Sequence, residues 1–257
     1  MDLELIGKSA LVCGASQGLG FAVAEALAAE GCRVGLLARN TAKLEAHVRD
    51  MAARGLSAIA LPADMGDWGS VERGLKVFGQ PSILVNNSGG PPHVDVTRVD
   101  PDLWRQQFET MVLNQMRLAE AVLPAMRAEK FGRILNVAST AIVEPIGGLA
   151  ISNALRAALA NWMKTLSTEV ARDGVTINML LPGSFATERI DGFNAREAEA
   201  RNIPVTQVAA ENSAAIPIGR YGDPKEFAAV AAFLASPRAS YVTGQMIRID
   251  GGITRST

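Results

Sequence analysis

Residues 10–21 read Ala10-Leu11-Val12-Cys13-Gly14-Ala15-Ser16-Gln17-Gly18-Leu19-Gly20-Phe21. Four apolar residues run into three glycines at 14, 18 and 20, and an apolar run with helical spacing follows. This is the pattern of a strand that turns sharply into a helix. Gly14 permits the tight turn, Gly18 lets a phosphate approach the backbone, and Gly20 lets the helix pack close to the strand. The first N–H groups of the new helix, around Ser16, Gln17 and Leu19, then face whatever anion sits at the turn. A glycine triplet alone is weak evidence. Placed between a strand and a helix at the first βα junction, it reads as a dinucleotide phosphate loop.

Working outward, short apolar runs alternate with longer helix-period segments. Strands are expected at Ala10–Cys13, Val34–Leu37, Ala58–Leu61, Ile83–Val85, Arg133–Val137, Thr176–Leu180 and Met246–Ile249. Helices are expected at Gly20–Glu30, Thr41–Ala53, Trp68–Val77, Pro101–Ala128, Ile151–Arg172 and Pro224–Ala235. The alternation argues for βαβ units and right-handed crossovers. The expected fold class is α/β, a Rossmann-type doubly wound parallel sheet of about seven strands with helices on both faces. Residues 1–257 are expected to form one domain. Residues 187–216 break the rhythm with Pro204, mixed charges and two weak helical patterns. That stretch is too long for an ordinary connection and follows a strand's carboxyl end, so it is read as a substrate lid.

The 257 residues are 48% hydrophobic with a formal net charge of −1. That balance gives no reason to expect nucleic acid or an anionic membrane as partner. Cys13 and Cys32 have no CxxC spacing, and His47 and His93 are the two histidines, so no metal site is expected. The cysteines read as small buried hydrophobes in a reducing compartment. The N-terminus carries two acids and no long apolar run, and no stretch approaches a membrane span. The default is a soluble cytoplasmic protein.

The second strand ends Leu36-Leu37-Ala38-Arg39-Asn40. An NAD site places an acid near here to bind the ribose 2′-hydroxyl. This chain offers Arg39, whose guanidinium can grip a 2′-phosphate with two hydrogen bonds. The expected coenzyme is therefore NADP(H).

Together these features resemble the short-chain dehydrogenase/reductase family, over essentially the whole chain. The glycine spacing fits it. Asp64, after the third strand, stands where the family caps the adenine. Asn86-Asn87-Ser88-Gly89 resembles its Asn-Asn-Ala-Gly segment, and Asn114 stands at the place of its active-site asparagine. Gly132 to Ser139 resembles the strand that delivers its catalytic serine. Pro182-Gly183 and Thr187 resemble the segment along the nicotinamide, and Val242-Thr243-Gly244-Gln245 through Asp250-Gly251-Gly252 matches the C-terminal signature. Among relatives, the chain looks most like the 3-oxoacyl-acyl-carrier-protein reductases. The resemblance implies a homotetramer paired through the helices at Pro101–Ala128 and Ile151–Arg172, and a carbonyl or acyl thioester substrate.

The pattern then breaks. The family has a tyrosine thirteen residues after its serine and a lysine four further on. Counting from Ser139 gives Ser152 and then Arg156. A tyrosine beside a lysine ammonium has its pKa drawn down from about 10 and can deliver a proton to a new alkoxide. A serine hydroxyl donates a hydrogen bond but is a poor acid. Arg156 keeps the charge, can still hold the nicotinamide ribose, and stays protonated. Losing general acid catalysis removes about 10²–10⁴-fold in rate. Catalytic candidates are thus Ser139, Asn114, Ser152 and Arg156. As substitute donors, His93 reads first as a loop histidine and Glu144 as a solvent-facing acid, though a buried Glu144 with a raised pKa would serve. Tyr221 and Tyr241 read as packing residues, and a water relay through Asn114 ranks above all four. The leading expectation is an NADPH-dependent carbonyl reductase with an altered site. The alternatives are a nucleotide-binding sensor or partner subunit without catalysis, and a reductase of an activated C=C bond.

Overall fold

The apolar runs become seven strands: β1 (Ser9–Cys13), β2 (Arg33–Ala38), β3 (Ala58–Pro62), β4 (Ile83–Asn86), β5 (Gly132–Val137), β6 (Val175–Pro182) and β7 (Met246–Ile249). In the computed structural model, which describes residues 1–256, they form one sheet in the order β3-β2-β1-β4-β5-β6-β7. Every pairing is parallel. β1, β4 and β5 are buried on both faces, as a sheet covered on both sides requires.

The helices are α1 (Gly18–Ala29), α2 (Thr41–Ala53), α3 (Trp68–Phe78), α4 (Pro101–Phe108), α5 (Asn114–Ala128), α6 (Ala150–Val170), α7 (Glu188–Arg201), α8 (Val205–Ala214) and α9 (Pro224–Ala235). On one face of the sheet, α1, α2 and α9 bury Val23, Leu27, Leu44 and Phe227. On the other, α3, α5 and α6 bury Leu75, Leu118, Val122 and Met163. Each such side chain contributes about 1.5–3 kcal/mol by leaving water. Local signals set the ends. Asp67 caps α3 by accepting from the Gly69 N–H at 3.0 Å, and Asp223 with Glu226 forms a capping box on α9.

One expected element needs correction. The helix expected unbroken over Pro101–Ala128 is interrupted by a π turn at Glu109–Leu113, which separates α4 from α5. The two helical patterns read in residues 187–216 become α7 and α8, a pair on either side of Pro204 with Ala198 and Val208 buried. A smaller cluster of Met111, Val112, Ile151 and Leu155 packs the π turn against the start of α6. That contact places α6's first two turns beside the end of β5. Chain order reverses between β1 and β4, so a crevice opens at their carboxyl ends, where ligands bind in such sheets.

Candidate active site

At the end of β1, Gly14 turns with φ of 63°. A Cβ there would fall 2.7 Å from Asn87 Nδ2, and one on Gly20 would strike the Gly14 carbonyl. Only glycines allow the loop after β1, the start of α1 and the Asn87 segment to close this tightly. α1 begins at Gly18 with Gln17 as its N-cap residue, and no side chain caps that end. Its leading N–H groups are left to an anion, as a dinucleotide's phosphates require. Gly89 has open space around it, and Thr187, the residue before α7, comes within 3.6 Å of the Cβ position of Gly18. Pro182 pairs with Ile249 at the end of β6, and Gly183 packs against Asp250.

The adenosine end is built at β2 and β3. Arg39 follows the last residue of β2 and is exposed. One turn later on α2, Lys43 Nζ lies 2.7 Å from Gln17 Oε1 and 3.1 Å from Glu188 Oε1. Lys43 escaped sequence reasoning, although its place one turn after Arg39 was a usable signal. Ser16 presents its carbonyl to His47 Nε2 at 3.0 Å, and Leu19 packs against the core. Asp64 is exposed, with Oδ1 accepting from the Gly66 N–H at 2.9 Å. Glycines too tight for any side chain, uncapped helical N–H groups and two cations at the ribose end fit an NADP(H) molecule.

The reacting end lies beyond β5. Ser139 Oγ accepts from the Ala141 N–H at 3.1 Å, which leaves its own proton free to donate. Ser152 is only 3% exposed. Its Oγ accepts from Arg156 Nε at 3.2 Å, and Arg156 Nη1 donates to the Val137 carbonyl at 2.8 Å. Burial, with the charge of Arg189 nearby, pushes the Arg156 guanidinium down to about 10. Ser139, Ser152 and Arg156 therefore meet around the last residues of β5. Asn114 does not offer them its side chain. It is fully buried, donates to the Met65 carbonyl at 2.8 Å and accepts from Arg117 at 3.1 Å. A water relay through the Asn114 amide is not what this geometry builds; the residue anchors α5 instead.

The substitute donors separate cleanly. Glu144 is exposed and accepts the Arg255 and Ser256 N–H groups at 2.9 and 2.7 Å, which hold its carboxyl below the usual range. The buried acid with a raised pKa is thereby overturned. Tyr221 is part-buried and donates to Asn194 Oδ1 at 3.2 Å, consistent with packing, whereas Tyr241 stands fully exposed and packs against nothing. His93 lies edge-on to Phe193, and burial with Arg196 and Arg189 lowers its pKa, so it is neutral at physiological pH. Cys13 and Cys32 are buried and free, as expected, each thiol pushed up to about 12 by burial. Among the described residues no group of three or more His, Cys, Asp or Glu is placed to hold a metal ion, and no helix is long and apolar enough to cross a membrane.

A family model described as enoyl-(acyl carrier protein) reductase matches residues 14–254. The chain is 36% identical to a 3-oxoacyl-[acyl-carrier-protein] reductase of Vibrio cholerae, over 98% of this chain and 99% of that one. It is 33% identical to a sorbitol dehydrogenase of Cereibacter sphaeroides, over 97% and 98%. Its fold superposes on L-sorbose reductase from Gluconobacter frateurii, solved with NADPH and L-sorbose, with a TM-score of 0.95 at 30% identity over the full length of both. These relatives act on different substrates, and their names do not choose one for this chain.

Proposed function

The chain belongs to the short-chain dehydrogenase/reductase family of oxidoreductases, and from that premise we propose that it uses NADP(H) to reduce the carbonyl of a ketone or 3-oxoacyl thioester. The glycine loop with Gly14, Gly18 and Gly20 holds the pyrophosphate, Arg39 and Lys43 the 2′-phosphate, Asp64 the adenine, and Asn87, Gly89, Pro182, Gly183 and Thr187 border the nicotinamide half. When bound, the reduced nicotinamide supplies the hydride.

The observation that carries this reading is the free proton of Ser139. Its lone pair is occupied by the Ala141 N–H, so the hydroxyl is oriented as a donor beside the end of β5. Such a donor stabilises negative charge that develops on a carbonyl oxygen. Arg156 adds fixed positive charge at the same end of the sheet. Ser152, buried beneath the guanidinium, orients it. The proton that completes the alcohol then comes from solvent, which makes the reaction slower than one with a built-in phenol. α7 and α8 serve as the lid over the substrate, and the protein assembles as a homotetramer in the cytoplasm.

A second reading has its own support. A family model described as an enoyl reductase matches almost the whole chain, and reduction of an activated C=C bond places the proton on carbon, where a phenol beside oxygen is not needed. Loss of NADPH absorbance with matched saturated ketones, 3-oxoacyl thioesters and enones tests both. Consumption with ketones or thioesters and a large loss in Ser139→Ala is expected. Consumption with enones alone selects the second reading, and none with any compound leaves a nucleotide-binding protein without catalysis.

A further inference from the structure

α7 carries two arginines whose charge the protein leaves uncompensated. Arg189 Cζ lies 5.0 Å and Arg196 Cζ 4.9 Å from the centre of the same Phe193 ring. Of the acids on α7, Glu188 pairs with Lys43 and Glu197 with Arg201, and neither Asp191 nor Glu199 forms an ion pair with either arginine. Among the described residues no ion pair forms at Arg156, Arg189 or Arg196. A cation–π contact orients a guanidinium without removing its charge. Two adjacent cations without an ion pair repel each other in the free protein, and a bound anion would relieve that repulsion.

Their position is specific. The Arg189 guanidinium lies against Gly90, in the space a Cβ there would occupy. Gly90 directly follows the Asn86–Gly89 segment after β4, so Arg189 reaches from α7 across to the crevice wall. Arg189 also acts on Arg156, lowering its pKa after burial has done so, and Arg196 does the same to Arg189. Arg189 therefore stands at the crevice wall beside Gly90, within electrostatic reach of Arg196 and of Arg156 on α6. His93 joins them against Phe193, with ring centres 5.1 Å apart, but it is neutral at physiological pH, so the charge is that of the arginines. The coenzyme's own phosphates are met elsewhere, at the glycine loop and at Arg39 with Lys43.

We propose that Arg189 and Arg196 form an anion site that selects a substrate bearing its own carboxylate or phosphate close to the reducible bond. This rests on the oxidoreductase reading above for what is done to that substrate, though not for its binding. Planar guanidinium groups match the oxygens of either anion bidentately. A neutral sugar or plain ketone leaves the cluster uncompensated.

The test uses the NADPH-loaded protein and calorimetric binding, so it does not depend on turnover. The probes are 2-oxobutyrate and levulinate against their neutral amides, and dihydroxyacetone phosphate against dihydroxyacetone. At least one anion is expected to bind 10-fold or more tighter than its neutral partner, and which pair shows this identifies the anion. Arg189→Met and Arg196→Met should each abolish the preference while NADPH affinity stays within about twofold. Arg189→Lys should retain part of it, and thermal melting verifies that the variants are folded. Equal binding within every pair, no binding of any anion, or a preference that survives both methionine variants overturns the proposal. So does a loss of NADPH affinity in Arg189→Met with the preference intact, which would assign Arg189 to the coenzyme. If the charge preference behaves as expected but no probe consumes NADPH, the anion site stands and the carbonyl-reductase reading is what fails.

Discussion

Arg156 Nε donates to Ser152 Oγ across 3.2 Å, one turn apart on α6. The count from Ser139 puts these residues where the resemblance expects a tyrosine and a lysine, and the two divide the work differently. The serine oxygen accepts from the cation, and the cation passes Nη1 to the Val137 carbonyl at 2.8 Å. A buried hydroxyl used as an acceptor is a support for the guanidinium. Both hydroxyls keep a proton, but Ser152 is only 3% exposed, whereas Ser139 is part-exposed and can offer its proton to a ligand. Ser139→Ala should therefore lower kcat by about 10²-fold or more, the usual effect of deleting a donor to a developing oxyanion. Ser152→Ala should lower it less, by loosening Arg156. Both variants should bind NADPH as the wild type does in a fluorescence titration. A larger loss from Ser152→Ala than from Ser139→Ala would reverse these roles.

NADPH should bind more tightly than NADH, because Arg39 and Lys43 have no counterpart for a bare 2′-hydroxyl. Arg39→Ala should cost about 1–3 kcal/mol of NADPH affinity, the range for a charged hydrogen bond. Lys43→Ala should act in the same direction, with a further effect from releasing Gln17 and Glu188. NADH affinity should be unchanged by Arg39→Ala. Equal affinity of the wild-type protein for the two coenzymes would refute the assignment.

The strands and most helices were legible because apolar runs and helical spacing report burial directly. β7, α2 and α9 fall on their expected bounds, and the other expected elements differ by two residues or fewer at each end, apart from the interrupted 101–128 helix. The π turn at Glu109–Leu113 was not legible, since one extra residue in a helical turn leaves the apolar pattern continuous through Met111 and Val112. Ser139, Ser152 and Arg156 were found by counting along a resemblance. Asn114 was found too, but its side-chain role depends on Met65, 49 residues away in sequence, and no local pattern encodes that contact. Arg189 and Arg196 were hidden for a different reason. In the sequence they look like ordinary charges of a mixed surface helix, and only the fold shows that both turn against Phe193 without an acid paired to either.

Acid should weaken the cap of α9. Glu226 accepts from both Arg220 and the Asp223 N–H, which holds its carboxyl down at about 2 against an ordinary 4.5. The folded state thus favours the ionised form. Its stabilisation is fully present above about pH 4.5 and is lost as the pH falls toward 2. Glu226→Gln should melt at a lower temperature than wild type at neutral pH, and the difference should shrink steadily across that acid window. A pH-independent difference would mean that the carboxylate's charge is not what stabilises the cap.

The assembly prediction rests on surfaces left open in one chain. Phe108 at the end of α4 is 43% exposed, and α6 presents Ala154, Ala158 and Asn161 to solvent. β7 is a free sheet edge with Met246 48% exposed. Edges and small-residue helix faces of this kind are covered by symmetric association in stable oligomers. Light scattering should give four chains per particle, and Ala158→Arg should lower that number. A monomer at micromolar concentration would return these faces to solvent.

The last prediction asks whether the site is the family's site with two parts missing or one rebuilt for other chemistry. Ser139 is in place, α6 keeps its register through Arg156, and the π turn packs against the start of α6 through Ile151 and Leu155. If only the acid and its tuning cation are missing, Ser152→Tyr with Arg156→Lys should restore them. Carbonyl reduction with NADPH should then rise by about 10²-fold, within the range for general acid catalysis. Neither change alone should suffice. Tyrosine beside Arg156 gains a cation fixed to Val137 that does not release a proton at neutral pH, and lysine without the phenol has nothing to tune. The obstacle is space, because Ser152 is buried and overpacking costs about 1–3 kcal/mol. Leu149 beside it is buried as well, but Ile146 is 45% exposed and the segment between them can yield outward. The double variant must therefore first show a cooperative melt and wild-type NADPH binding. A variant that passes both checks and gains nothing on ketones, 3-oxoacyl thioesters or 2-oxo acids would show that the surroundings of Arg156 have been reshaped. The arginine would then be part of what the site now recognises, rather than a remnant of what it lost.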